Sequence, residues 1–326
     1  MNGRLEKEIA AQAAMDKKLE GIPEVFKNYY MYLRAARKTY STLTVYVNNA
    51  IHFAKFVTNN KLTNEFYKNI SVSDIESYLV SLETTTKNGQ VVRTGTDILC
   101  SRWSSLNTFF EFLVRRGYRT DNPVSMTTRP KNTTSHEVTY LNKKEIKALL
   151  GAAEQHPNII MGQRNKTILS LAIASGMRSS ALVGINIEDI NFDEKYISVI
   201  EKGNKIRRID IGEATINVLG EWIKIRNKMK GAHQTNALFL SQKGNRISGD
   251  AINDMIKTSA KEAGIKKKLT CHKMRSTMAC ASLDANVPLL AISQRLGHNN
   301  LATTQRYLTA RDADKEKLTN FLDNLF

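Results

Sequence analysis

Apolar side chains recur every three to four residues along most of the chain, the spacing of helices that bury one face. In residues 40–57, YSTLTVYVNNAIHFAKFV, Leu43, Val47, Ala50, Ala54 and Val57 share such a face. Residues 71–82 open S-V-S-D, offering Ser71 or Ser73 as a helix N-cap, and turn Ile75, Tyr78 and Leu79 inward. Leu99, Trp103, Leu106, Phe110 and Leu113 form a longer stripe, with Phe109 and Phe112 as further core candidates. The pattern predicts a helical bundle over residues 22–125, its longest connection turning at Asn88-Gly89. Residues 1–21 are polar and read as a helical leader.

The periodicity stops at 126–139, MTTRPKNTTSHEVT, which reads as a linker whose Arg129 and Lys131 are suited to lie along a phosphate backbone. Helical patterns resume from Tyr140, over 141–155 and 164–176, and again over 214–229, 248–263, 272–283 and 288–296. Between them, the β-branched runs 196–200 and 206–211 are joined by E-K-G-N-K and predict a hairpin. Near the end, residues 315–326 set Leu318, Phe321, Leu322 and Leu325 on one face. The expected fold class is mainly α with a small β-sheet: a helical-bundle N-terminal domain, then a mixed α+β domain over 140–326. Two cores also suit a length of 326 residues.

Composition narrows the partners. Forty-eight Lys and Arg against 31 Asp and Glu give a net charge of +17, which favours a polyanion, nucleic acid ahead of an anionic membrane surface. With 41% hydrophobic and 24% charged residues, the chain is a folded one rather than a disordered one. It contains no apolar run long enough to span a bilayer and no signal-peptide core at the start. Cys100, Cys271 and Cys280 are too scattered for a disulfide framework, so a reducing cytoplasm is expected. The chain lacks C-x-x-C and H-x-x-x-H spacings and a G-x-x-x-x-G-K-[ST] loop, so neither a metal, a cofactor nor nucleotide hydrolysis is implied.

The candidate chemistry lies in six residues of the second domain. Arg178 follows a helix end in A-S-G-M-R, Lys202 sits in the hairpin turn, His272 and Arg275 form H-x-x-R, and His298 and Tyr307 lie in R-L-G-H-N-N-L-A-T-T-Q-R-Y. A phosphodiester under attack gains charge on its non-bridging oxygens, which arginine forks stabilise bidentately. A tyrosine needs neighbouring cations to serve as a nucleophile near neutral pH, and a lysine or histidine can protonate a leaving oxygen. Each residue alone has an ordinary structural role: a charge at a helix end, a solvated turn lysine, a packing tyrosine, a surface pair. Their order and spacing together make the functional reading the better one. His52, His136, His156 and His233 read as structural, and Lys266-Lys267-Lys268 as a solvated cluster.

At these residues the chain is similar to the tyrosine recombinase family of phage integrases and Xer-type site-specific recombinases. The family's G-[LM]-R is Gly176-Met177-Arg178, and its hairpin lysine is Lys202, 24 residues on. Its H-x-x-R is His272-Lys273-Met274-Arg275, and its L-G-H is Leu296-Gly297-His298, with Tyr307 nine residues later. The resemblance implies a core-binding bundle, a basic linker and a catalytic domain acting on double-stranded DNA recombination sites. It implies that Tyr307 forms a 3′-phosphotyrosyl link, that Arg178, Arg275 and His298 hold the phosphate, that Lys202 protonates the 5′-oxygen and that His272 assists at the nucleophile. Exchange would run through a Holliday junction in a tetramer, serving integration, transposition or chromosome-dimer resolution. The family's usual acidic residue three after the first arginine is replaced by Ala181, with Glu188 a candidate substitute, and Glu201 stands where glycine is common. Two alternatives stay open at this point: relaxation of supercoils in the manner of a type IB topoisomerase, and a catalytically weakened DNA-binding accessory protein.

Overall fold

The computed structural model describes residues 3–87, 89–131, 133, 138–200, 206–298 and 300–308. The chain divides into two compact units, Met1–His136 and Glu137–Phe326. It is mainly helical, with two small antiparallel sheets.

The first unit holds α1 (Gly3–Lys18), α2 (Glu24–Ala35), α3 (Tyr40–Val57), α4 (Val72–Ser81), strands β1 (Thr84–Lys87) and β2 (Gln90–Arg93), and α5 (Thr96–Arg115). Ser71 caps α4 reciprocally: its Oγ accepts from the Asp74 N–H at 3.2 Å while its own N–H donates to Asp74 Oδ2 at 2.8 Å. Leu43, Val47, Ala50, Ala54, Leu106, Phe110 and Leu113, all on the stripes read from the sequence, lie in one core. Burying each large side chain contributes about 1.5–3 kcal/mol before ordering costs. The polar leader also belongs to this core, because α1 leads into it with Met15 and Leu19 buried. The connection from α4 to α5, where the Asn88-Gly89 step falls, carries the strand pair β1–β2, matched from Thr84↔Arg93 to Lys87↔Gln90. Much of the segment expected to link the domains runs along α5: Trp103 Nε1 donates to Thr127 Oγ1 at 2.8 Å, and Cys100 Sγ to the Pro130 carbonyl at 2.9 Å.

The second unit contains α6 (Lys143–Glu154), α7 (Ile159–Ser175), α8 (Ser179–Gly184), β3 (Ile190–Asn191), β4 (Tyr196–Ile200), β5 (Ile206–Asp210), α9 (Glu213–Arg226), α10 (Gly249–Glu262), α11 (Cys271–Asp284), α12 (Leu289–Leu296) and α13 (Ala302–Gln305). Helix α7 packs against α6, α9 and α11, and most of its residues are buried. The expected hairpin is the β4–β5 pair, with β3 added on the far side of β4. One face of it, with Ile197, Val199 and Ile209, joins the aliphatic core. Among the described residues no helix is long and apolar enough to cross a membrane. The amphipathic segment 315–326 lies outside the described residues.

Candidate active site

Two left-handed glycines aim the functional side chains. Gly176 ends α7 at φ 61°, donating its N–H to the Ala172 carbonyl at 3.0 Å. A Cβ there would meet the flexible tip of Met278, which can shift, so it is the left-handed backbone that calls for glycine. Met177 then turns inward, 1% exposed, and Arg178 emerges to solvent immediately before α8. Gly297 ends α12 in the same way at φ 64°, with the His298 N–H donating back to the Ser293 carbonyl at 3.1 Å.

Arg275 fastens these two helix ends together. It projects from α11, is 1% exposed, and donates from Nη1 to the Gly176 carbonyl at 2.7 Å and from Nη2 to the Leu296 carbonyl at 2.5 Å. Both acceptors sit at helix C-termini, where carbonyls lack intrahelical partners and the helix dipole is negative. One guanidinium fork therefore places Arg178 and His298, each two residues beyond an acceptor, on the same side of the unit. His272 lies on the same helix, three residues before Arg275, at its solvent-facing start.

The electrostatics agree with this convergence. His298 is held down to about 4, first by burial and then by the charges of Arg275 and Arg178, with His272 and Arg306 adding to the effect. His272 is also lowered, although its ring reaches solvent, by burial and then by Arg275, Lys273, Arg306 and Arg178. Both rings are therefore neutral at pH 7, set in a field of cations. His298 Nδ1 lies 2.7 Å from Thr304 Oγ1, and the Thr304 carbonyl accepts the Tyr307 N–H at 3.0 Å. Fully buried Thr304 thus joins the histidine to the tyrosine. The Tyr307 ring, 3% exposed, packs among Met278, Leu283, Ile292 and Leu296.

Of the six candidates, Arg178, His272, Arg275 and His298 are drawn together by these bonds and fields; Tyr307 is tied to Thr304 through its backbone N–H, while its ring lies in the adjoining apolar cluster. Lys202 lies outside the described residues, though the strands on either side of its turn do not. Arg129 and Lys131 belong to the first unit, where the Arg129 guanidinium sits 5.7 Å over the Trp103 ring and both residues are exposed. Ala181 is 7% exposed and part of the aliphatic core, so an apolar contact replaces the family's usual carboxylate. Glu188 is exposed and accepts from Asn236 Nδ2 at 3.3 Å. Of the lysine cluster, Lys267 bonds Glu145 Oε2 at 2.7 Å and the Tyr140 carbonyl at 2.9 Å. The sequence reading missed Thr304 and Arg306. Their places three residues and one residue before Tyr307, next to the candidate nucleophile in the chain, were the available signal.

Residues 139–314 match the phage integrase family. The chain therefore belongs to that family, the tyrosine recombinases that break and rejoin DNA at specific sites. Among its relatives, the tyrosine recombinase XerC of Mannheimia succiniciproducens is 32% identical over 282 residues, covering 86% of this chain and 90% of that one. The tyrosine recombinase XerD of Staphylococcus saprophyticus is 35% identical over 221 residues, covering 67% and 73%. In fold, the chain resembles lambda integrase residues 75–356, solved as a dimer bound to a COC′ core site, at TM-score 0.66 and 17% identity over 89% of this chain and 95% of that one.

Proposed function

We propose that this protein recombines duplex DNA sites with Tyr307 as its nucleophile. The phenol oxygen attacks the scissile phosphorus, the P–O5′ bond breaks, and a 3′-phosphotyrosyl bond takes its place. Neutral His272 accepts the phenol proton, and Lys202 gives a proton to the departing 5′-oxygen. Arg178 and Arg275 stabilise the charge that develops on the non-bridging oxygens, and His298 donates a further hydrogen bond. The protein–DNA bond conserves the energy of the phosphodiester, so a 5′-hydroxyl from a second duplex attacks it and completes exchange without ATP or a metal. The observation that carries this reading is Arg275, whose two bonds hold the Arg178 and His298 segments together around it.

In this reading, residues 22–125 are the core-binding domain, and Arg129 and Lys131 contact backbone phosphates. The compact second unit, with its H-x-x-R to Tyr307 spacing, favours exchange over topoisomerase-like relaxation. The filled catalytic positions favour an active enzyme over an accessory protein. Cytoplasmic placement fits its three free thiols, Cys100, Cys271 and Cys280. The test is covalent capture: the full chain is incubated with a random-sequence duplex library and denaturation-resistant adducts are sequenced. Wild type is expected to enrich a defined site and Tyr307→Phe to form no adduct while still binding; adducts with Tyr307→Phe would refute the assignment.

Four protomers are proposed to act on two sites, with the stripe of Leu318, Phe321, Leu322 and Leu325 docking in a neighbour. Deleting residues 315–326 should then leave single-site binding intact while synapsis and recombination fall together. Recombination at the full-length rate would refute docking between protomers.

A further inference from the structure

A buried hydroxyl has one proton to place, and where that proton goes decides what its oxygen can accept. In the second unit Thr167 and Thr277, both buried, follow the common helical pattern. Each donates to the carbonyl one turn back, Gln163 at 2.7 Å and Lys273 at 2.8 Å. Thr277, its proton so placed, accepts the Leu141 N–H at 3.0 Å. Thr304 is as deeply buried, at 0% exposure, but among the described residues its hydroxyl bonds no carbonyl. The partner of its Oγ1 is His298 Nδ1, 2.7 Å away. Its backbone is engaged separately, the N–H with the Leu301 carbonyl at 2.8 Å and the carbonyl with the Tyr307 N–H at 3.0 Å.

The proton of the Thr304 hydroxyl is therefore directed at Nδ1, which must present its lone pair. A neutral imidazole carries one proton, so the proton of this ring sits on Nε2. The ring is neutral at pH 7, because burial and then the charges of Arg275 and Arg178, with His272 and Arg306, oppose a second proton. The choice of tautomer matters to a phosphate. Nε2–H is a donor to a non-bridging oxygen, whereas the other tautomer would offer that negative oxygen a lone pair.

We infer that Thr304 is a positioning residue that fixes His298 as the Nε2–H tautomer and so makes it a hydrogen-bond donor to the scissile phosphate. The donor role rests on the proposed function of His298; the tautomer does not. The tautomer is read first, by NMR of the ring nitrogens in the free protein carrying isotopically labelled histidine. Its six histidines give six rings, and that of His298 is the one missing from His298→Gln. Wild type is expected to show Nδ1 bare and Nε2 protonated. Thr304→Ser should keep that pattern, and Thr304→Val, which keeps the shape without the hydroxyl, should mix the two tautomers. A protonated Nδ1 in wild type would overturn the inference, and seeing it requires no change at Thr304. An unmixed Nε2–H ring in Thr304→Val would also overturn it, since something other than the hydroxyl would then set the tautomer.

Cleavage is measured next, in single turnover on a site duplex recovered by the covalent capture above. Thr304→Val should slow adduct formation about 10-fold, less than the roughly 10²–10³ lost when a donor is removed outright, because the ring remains. Thr304→Ser should stay within a few-fold of wild type. The deciding comparison is made in His298→Gln, whose amide has a donor and no tautomers. There Thr304→Val should add no further loss. An undiminished loss in that background would mean that Thr304 acts on packing and not through His298, and the inference would be wrong. If Thr304→Val mixes the tautomers yet cleaves at the wild-type rate, the donor role of His298 fails. If the tautomer is as expected but Tyr307→Phe still forms adducts, the nucleophile assignment fails and the tautomer assignment stands.

Discussion

The two units fill their interiors in different ways. The first is built on aromatic rings: Phe26 stacks on Phe66 at 5.5 Å and on Phe109 at 5.8 Å, Tyr29 meets the edge of Phe109 at 5.0 Å, and Phe53 meets Tyr78 at 5.1 Å. Its closely bonded arginines are only half-buried: Arg119 donates to Asp121 Oδ1 at 2.8 Å and to the Tyr67 carbonyl at 2.5 Å, and Arg102 to Asn49 Oδ1 at 2.6 Å. The second unit has an aliphatic core and buries Arg164, Arg226 and Arg275 at 9%, 3% and 1% exposure. They donate to backbone carbonyls and side-chain amides: Leu240 and Asn165 for Arg164, Ala237, Ala232, Thr235 and Asn227 for Arg226, Gly176 and Leu296 for Arg275. Burial brings Arg164 down to about 10, still charged at neutral pH, and lowers Arg226, with Arg246 adding to the effect. A carbonyl dipole satisfies a guanidinium without cancelling its charge. The second unit thus accepts a desolvation cost for buried guanidiniums that the aromatic core of the first does not carry.

The sharpest way to break this contrast is at Arg275. Arg275→Met should cut the rate of adduct formation by about 10²–10³ and also lower stability, by roughly 1–3 kcal/mol for each of the two carbonyls that lose its donor. Single-turnover cleavage and urea unfolding measure the two effects; a stable variant with full cleavage would show that the buried charge is dispensable. Next in size, Phe109→Ala should cost about 3–5 kcal/mol in the first unit while leaving the cleavage rate of DNA-bound, folded protein unchanged. A cleavage defect beyond the loss of folded protein would mean that the aromatic core also serves the chemistry.

The smallest expected effect is acid sensitivity. His298 and His272 are held below the ordinary histidine value in the folded state, so the unfolded chain binds their protons more readily. Their contribution to stability is complete above about pH 6.5 and is lost as the pH falls toward the depressed folded values. His52, in the first unit, is lowered too, by burial and then by Arg102 and Lys55, so the comparison needs a variant. Urea midpoints between pH 7.5 and 5 should fall less steeply for His298→Gln than for wild type. Equal slopes would place the acid sensitivity elsewhere.

How much was legible in the sequence follows from what each element buries. The β4–β5 hairpin could be read because it has one buried face, which imposes alternation. The β1–β2 hairpin could not: Thr84, Thr85, Thr86, Gln90, Val91 and Arg93 are all exposed, so no alternation marks them, and Asn88-Gly89 showed only that the chain turns. Residues 126–131 looked like a linker because their contacts with α5 are made by a backbone carbonyl, a threonine hydroxyl and the guanidinium of Arg129, none of which leaves an apolar period. At the site, the motif residues were legible as motifs. The bonds of Arg275 were not, since its acceptors are backbone atoms that become neighbours only when α7 and α12 pack against α11.

That choice of acceptor bears on how such a site drifts over generations. A salt bridge can be lost through a change at either residue, and its two members must then vary together. A backbone carbonyl is encoded by no particular codon, so Leu296 offers its oxygen whatever side chain it carries, and Gly176 is constrained by its left-handed backbone rather than by its bond to Arg275. Only the guanidinium half of each pair is exposed to mutation. The scaffold that holds these helix ends therefore presents a small genetic target and leaves no covarying partner to reveal it.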